Sequence, residues 1–314
     1  MGSVSFVVTV YNKAPFLPLV IESLKAQTGL DDPEFIFVDD GSTDDSREVL
    51  ERLTADWPNI CLITQANAGP SAATNRGVAE ATRPWIKLVD GDDVLAPHAT
   101  ARLLGAASTL DTQFAYCNIE QADTEACHRL LSATPTTVAP ILQSDPLQLL
   151  SKKMFFNPTC MLARTDLMRE AGGCDTRVFI QDYSIALRMA ARTAFAYVPE
   201  TLALAPVEDG ELARASGNKA QILHDLNLVM ANFLDDHPDL SITMRTKMIR
   251  RAVSRAWKWH RRQNAGGILS APFLDLVRSA LPSPPPALVH RSCAVFRQAP
   301  RAGVTHNLIR VMQA

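Results

Sequence analysis

Residues 4–10, VSFVVTV, form a run of β-branched and apolar positions without the alternation of a half-solvated strand. Such a run predicts a strand buried on both faces. From 14 to 27 the period changes. Phe16, Leu17, Val20, Ile21 and Leu24 recur at helical spacing, and Pro15 suits a first helical turn. The exchange then repeats. A strand is predicted at 34–39, a turn at Asp40-Gly41-Ser42, and a helix over 44–55 capped by Thr43 or Asp44. A strand follows at 60–64, a helix from Pro70 to 81, and a strand at 85–90, WIKLVD. Beyond these, the pattern predicts a helix at 97–110 and a strand at 113–118. Residues 119–144 read as an irregular loop or lid, and shorter elements fill 145–206. From 215 the period is helical, through 215–236 and 242–262. The run PSPPP at 282–286 reads as a linker or stiff turn.

This rhythm predicts an α/β fold: a Rossmann-like, mostly parallel sheet flanked by helices, with a C-terminal helical extension. Such sheets bind ligands at the carboxyl ends of their strands. Four polar segments fall there: Tyr11-Asn12, Asp39-Asp40, Asn67-Ala68-Gly69 and Asp90-Gly91-Asp92-Asp93.

The last is the most informative. Three carboxylates within four residues repel one another unless a cation sits among them. Hard oxygens suit Mg²⁺ or Mn²⁺. An acidic surface turn is the plain alternative, weakened by the buried strand that precedes it. Asp39 and Asp40 fit either a contact to a base or ribose, or a turn and helix cap. The segment 67–71 offers the free amides of a helix start to an anion, with Arg76 on the same helix, or is an ordinary proline-led helix. Asn157-Pro158-Thr159 reads as a turn or an acceptor contact. His224 reads as surface or core. The histidines show no HxxxH or HExxH pattern.

Charge changes the picture further. Residues 1–239 hold 18 Lys/Arg against 32 Asp/Glu, whereas 240–314 hold 13 against one, Asp275. Within 245–262, basic positions 247, 250, 251, 255, 258, 261 and 262 interleave with Met248, Ala252, Trp257 and Trp259. This predicts either a basic face packed on the body or peripheral contact with an anionic membrane. Nucleic acid is not expected, since no reader motif accompanies the charge. The six cysteines include no CxxC pair and read as free thiols. No apolar stretch approaches a membrane span, and the start lacks signal-peptide character, so the expected location is cytoplasmic, with a peripheral position at the inner membrane face as an extension.

Taken together, VSFVVTVYNKAPFLPLVIESLKAQT, FIFVDDGSTDDS, NAGPSAATNRGVAEA and WIKLVDGDD resemble the family 2 glycosyltransferases of the GT-A fold, in motif order and spacing, over about residues 4–95. The resemblance implies an inverting, non-processive, usually metal-dependent enzyme using a nucleotide diphosphate sugar, with UDP expected. It places Thr9 and Tyr11 at the uracil and ribose pocket and Asp39 on the base. Asn67 and Arg76 border that pocket, and Asp90 and Gly91 lie at the ribose end of the DxD. Asp92 and Asp93 are the metal ligands, for Mn²⁺ or Mg²⁺. A weaker match over 161–190 implies that Asp182 is the general base; by local pattern alone Asp182 reads as a cap of the helix that follows, and one residue can serve as both. Gln181 stands where the family usually has Glu. The implied acceptor is a saccharide or lipid-linked hydroxyl in surface polysaccharide or lipopolysaccharide synthesis.

The expected organisation is a catalytic domain over 1–210, with donor half 1–118 and acceptor half 119–210, and a basic helical region over 211–314. GxGxxG after the first strand and GxxxxGK[ST] are both absent, which argues against a dehydrogenase or a P-loop nucleotidase. A Gly-rich basic loop for nucleotidyl transfer and the QxxRW of processive synthases are absent too. A degenerate nucleotide- or lipid-binding scaffold remains the alternative, with Gln181 its support.

Overall fold

The computed structural model describes residues 2–136, 138–154, 156–207, 219–263 and 267–297. In chain order these form β1 (Val4–Val10), α1 (Leu17–Lys25), β2 (Glu34–Asp39), α2 (Ser46–Thr54), β3 (Ile60–Thr64), α3 (Pro70–Glu80), β4 (Trp85–Asp90) and β5 (Val94–Leu95). Then come α4 (Ala99–Thr109), β6 (Phe114–Ala122), α5 (Thr124–Leu130), β7 (Ile141–Gln143), α6 (Pro146–Leu150), a 3₁₀ turn (Pro158–Cys160), β8 (Met161–Arg164), α7 (Thr165–Glu170), α8 (Gln181–Ala190) and β9 (Phe195–Pro206). Four helices follow: α9 (Lys219–Asp236), α10 (Ile242–Arg262), α11 (Ala271–Arg278) and α12 (Ala287–Arg297).

The chain divides into two compact units. The first comprises Met1–Pro146, Phe155–Cys174 and Arg188–Glu211; the second comprises Leu147–Met154, Asp175–Leu187 and Leu212–Ala314.

The first unit is built on a nine-stranded sheet of order β3-β2-β1-β4-β8-β6-β9-β5, with β7 also paired to β9. β3, β2, β1 and β4 are parallel, as the strand–helix rhythm demands. β8 joins antiparallel to both β4 and β6, β6 and β9 run parallel, and β5 and β7 add antiparallel to β9. β1 is the hub. Phe6 and Val8 are fully buried, and each such side chain contributes roughly 1.5–3 kcal/mol relative to leaving it in water. Beneath the later strands, Phe114, Tyr116, Phe156 and Phe195 form an aromatic core, with Phe114 and Phe195 stacked at 4.0 Å.

Residues 119–144 differ from the expected irregular lid. β6 runs on to Ala122, α5 follows, and β7 pairs with β9. The Asp123 carboxylate caps α5 by accepting from Ala126 N at 2.7 Å, and Cys127 anchors the helix against Val94 and Leu204. These seven helical residues are too few for periodicity to reveal, and tertiary packing supplies what propensity lacks. At α2 the cap position is Asp45, not Thr43 or Asp44. The Asp44 carboxylate instead accepts from Ala14 N and Ser46 N.

The second unit is largely helical. α9, α10 and α12 pack through Met230, Phe233, Met248, Ile249, Ala252, Leu288 and Val289. α10 occupies the predicted span 242–262, capped by Ser241 Oγ accepting from Met244 N. Most of its apolar face is turned inward: Met248 and Ala252 are buried, half-buried Trp257 lies against Phe273 and half-buried Trp259 against Phe296, while Ile242 is exposed at the start of the helix. The proline run ends where α12 begins. Among the described residues, no helix is long and apolar enough to cross a membrane. All six cysteines are free thiols.

Candidate active site

In the first unit, parallel register brings the strand ends level. Thr9 stands between Val38 and Asp90, Val10 opposite Asp39, and Asp39 opposite Thr64. Backbone bonds clasp the loops that follow: Asp40 N donates to Val10 O (2.8 Å), Gln65 N to Asp39 O (3.0 Å) and Gly91 N to Thr9 O (2.9 Å). Residues far apart in sequence thus meet at one edge.

Asp40 organises the floor of this edge. Its buried carboxylate accepts from Gln65 Nε2 (2.8 Å), Ala68 N (2.9 Å) and Gly69 N (2.8 Å). Two amides expected to be free for an anion at the start of α3 are therefore occupied by an internal carboxylate. Asn67 is exposed, and its Nδ2 donates to Asp40 O at 2.9 Å. Gly41, at φ +74°, packs so closely that a methyl there would lie 2.8 Å from Asn67 N. Asp39 Oδ1 accepts from Ser42 N at 3.0 Å. Asn12 adopts the left-handed region, φ +54°, so that its Oδ1 accepts from Thr43 N. Thr9 is half-buried and Tyr11 is exposed at the end of β1. Arg76 is exposed on α3, where it pairs with Glu80 at 2.9 Å.

The tip of β4 is rigidly held. A methyl on Gly91 would meet Thr9 O at 2.8 Å, so glycine is required for the turn to press against β1. Asp92 Oδ2 lies 2.6 Å from Lys13 Nζ. The cation that relieves repulsion in this acidic turn is thus supplied by the chain itself. Asp93 Oδ2 accepts from Thr159 Oγ1 (2.6 Å) and Asn157 Nδ2 (3.0 Å), while Thr159 Oγ1 accepts from Asp90 N (3.0 Å). Asn157 and Thr159, read from sequence as a turn or an acceptor contact, hold the acidic loop. Beneath them Lys87 is completely buried, donating to Leu88 O and Thr159 O, and burial pushes its ammonium pKa down. The visible signal was a lysine inside the otherwise apolar WIKLVD. Lys13 and Lys87 are the functional candidates that residue patterns missed.

Among the described residues, no three His, Cys, Asp or Glu side chains are grouped so as to cage a metal ion. Asp92 and Asp93 are hard oxygen donors of the kind such cations take one or two at a time with water and a phosphate-bearing substrate; here Lys13 engages Asp92, and Thr159 and Asn157 engage Asp93.

Asp182 belongs to the second unit, on the first turn of α8. The segment before it is fixed by two buried carboxylates. Asp225 Oδ2 accepts from Phe179 N and Ile180 N, both at 3.1 Å, and Asp175 accepts from Arg177 and from Asn232 Nδ2 (2.9 Å). Asp182 is only partly exposed, and loss of water around it pushes its carboxyl pKa up to about 6. Gln181 is buried beside it. His224 is a core residue. Arg297 Nε donates to its Nε2 at 3.1 Å, which leaves Nδ1–H to donate to Asp225 Oδ1 at 2.8 Å.

Residues 5–172 match the model of glycosyl transferase family 2. An uncharacterized glycosyltransferase, alr2836 of Nostoc sp., is 41% identical over 109 residues, 34% of each chain. The succinoglycan biosynthesis protein ExoO of Rhizobium meliloti is 34% identical over 118 residues, 37% of this chain and 33% of that one. The match spans about a third of the length of these curated relatives. Among solved structures, S. aureus TarS 1–349 in complex with UDP-GlcNAc superposes with a TM-score of 0.66 at 15% identity, covering 94% of this chain and 88% of that one. At that identity the likeness speaks for the fold.

Proposed function

Because the chain belongs to glycosyl transferase family 2, we propose that it moves a sugar from a nucleoside diphosphate donor, UDP being the expected nucleotide, to an acceptor hydroxyl with inversion. The observation that carries this reading is the convergence at one sheet edge of Thr9, Tyr11, Asp39, Asn67 and the Asp90–Asp93 turn, the last locked by Lys13, Asn157 and Thr159. In this reading Tyr11 and Asp39 face the nucleoside, Asp90 and Gly91 line the ribose, and Arg76 borders the pocket. Asp92 and Asp93 would hold Mg²⁺ or Mn²⁺. Such a cation supplies charge neutralisation for the departing diphosphate.

Asp182 accepts the proton. As the acceptor oxygen bonds to the anomeric carbon, the carbon–diphosphate oxygen bond breaks with its electron pair, and the hydroxyl proton passes to the Asp182 carboxylate. One base and no carboxylate nucleophile suffice for inversion. A carboxyl with its pKa near 6 is a better base than an exposed one and is still ionised at neutral pH. The likeness to a succinoglycan biosynthesis protein supports a saccharide or lipid-linked acceptor in surface polysaccharide synthesis. Contact of 245–262 with an anionic membrane would rest mainly on charge, since Met248 and Ala252 are buried and Trp257 and Trp259 lie against Phe273 and Phe296.

The test is release of nucleoside diphosphate from a panel of sugar nucleotides with Mn²⁺. Release from at least one donor, lost in Asp92→Asn, is expected. Donor binding without release or transfer to any saccharide acceptor would favour the scaffold that Gln181 allows. Failure to bind any donor would end both readings.

A further inference from the structure

The lysines and arginines of α10 other than Arg261 fall into two sets. Arg245 donates to the carbonyls of His237 and Pro238, Lys247 to Gln148 Oε1, and Arg250 to the carbonyls of Ser279 and Ala280. These cations tie the second unit together. The other set, Arg251, Arg255, Lys258 and Arg262, recurs at intervals of four, three and four, which places it on one helical stripe. All four line one cavity of about 330 Å³, joined by Lys153 and Lys219. Every lining residue belongs to the second unit. Among the described residues, no Asp or Glu lines the cavity, and none of the six cations forms an ion pair.

Like charges at i,i+3 and i,i+4 destabilise a helix by about 0.2–0.5 kcal/mol per pair, and an anion bound among the four would relieve that repulsion. The arrangement is also built rather than incidental. Arg255 Nη1 donates to Asn227 Oδ1 at 2.6 Å. Asn227 is itself fully buried and pinned by its Nδ2 donating to Ala252 O (3.0 Å) and Ser292 Oγ (2.7 Å). A neutral amide therefore fixes the guanidinium without neutralising it. Burial, with Arg251 nearby, pushes the Arg255 pKa down to about 10. Apolar lining from Met154, Leu223, Leu226 and Trp259 completes the cavity. Its volume lies at the small end of ligand pockets.

We propose that this cavity is an anion site for a diphosphate group, gripped by Arg251 and Arg255 and surrounded by Lys153, Lys219, Lys258 and Arg262. Guanidinium forks match phosphate oxygens two at a time, and the ammonium groups add point charge. The apolar wall suits a diphosphate carried on an apolar chain, although the same cations would hold a soluble diphosphate. The site is independent of the donor reading, because it uses none of the residues at the tip of β4.

The test is isothermal titration of the full chain with inorganic pyrophosphate at low salt, with a chelator present so that no divalent cation assists. One saturable site is expected, weakened about tenfold or more by Arg251→Gln and by Arg255→Gln. Arg261→Gln, the same charge change on an exposed α10 residue outside the cavity, should alter affinity less than about twofold. Asp92→Asn should retain binding, which separates this site from the donor site. If Arg255→Gln fails to fold by circular dichroism, Arg251→Gln and Lys258→Gln carry the test. Absence of saturable binding, or equal loss in Arg261→Gln, overturns the proposal.

A second arm identifies the source, using sedimentation with phosphatidylcholine vesicles carrying a long-chain prenyl diphosphate. Co-sedimentation that pyrophosphate competes away supports the site and a lipid source. Pyrophosphate binding without co-sedimentation supports the site and a soluble source. Co-sedimentation indifferent to pyrophosphate and to Arg251→Gln replaces the cavity with a diffuse basic face.

Discussion

The acidic edge of the first unit and the basic stripe of α10 solve opposite problems. At the edge, each carboxylate described is already bound: Asp40 by two amides and Gln65, Asp92 by Lys13, Asp93 by Thr159 and Asn157. In the stripe, cations converge on a cavity lined, among the described residues, by no acid. Internally satisfied charges hold a shape before any ligand arrives. Unsatisfied charges store affinity for one. On the two proposals above, the edge is preorganised for chemistry and the stripe for capture.

The contrast can be broken at several points. The largest effect is expected from Asp182→Asn, which should lower turnover by about 10²–10⁴-fold with little change in donor binding. In the unaltered chain the base must be ionised, so kcat/KM should fall about tenfold per pH unit below about pH 6 and level off above it. A flat profile from pH 5 to 8 would remove Asp182 from that role. Asp92→Asn should cost about 10²–10³-fold in nucleoside diphosphate release, since stabilisation of the leaving group is lost.

Asp40→Asn leaves a buried amide facing amide donors that the carboxylate held. We expect about 3 kcal/mol less stability, read from urea unfolding. Gly91→Ala forces its methyl against Thr9 O and should destabilise by about 1–3 kcal/mol, with a larger loss of activity than of fold. The smallest effect sharpens the comparison from the other side. Arg251→Gln should stabilise the chain by about 0.2–0.5 kcal/mol at low salt and by less at high salt, because it relieves like-charge repulsion along α10. A loss of stability there would mean that the stripe is internally compensated after all.

Much of this was legible from residue order. The buried run of β1, the parallel quartet, the span of α10 and the acidic turn after β4 all follow from apolar period and from turn residues at strand ends. Local periodicity is enough there because each element buries its own face. Short elements were not legible: α5 and β7 have too few residues to show a period and exist through Cys127 and the β9 pairing.

Partnerships were least legible. The acidic turn could be read as acidic, but not that Lys13, 79 residues earlier, neutralises Asp92, or that Thr159, 66 residues later, grips Asp93. Nor could it be seen which cations of α10 tie the helix to neighbouring segments and which line the cavity, although its spacing was in view. Sequence alone determined the long elements, the parallel quartet and the family, because these depend on the chemistry of neighbours along the chain. Only the tertiary structure decided which charges are satisfied, because electrostatic energy depends on distance through space, and the chain sets that distance only after it has closed.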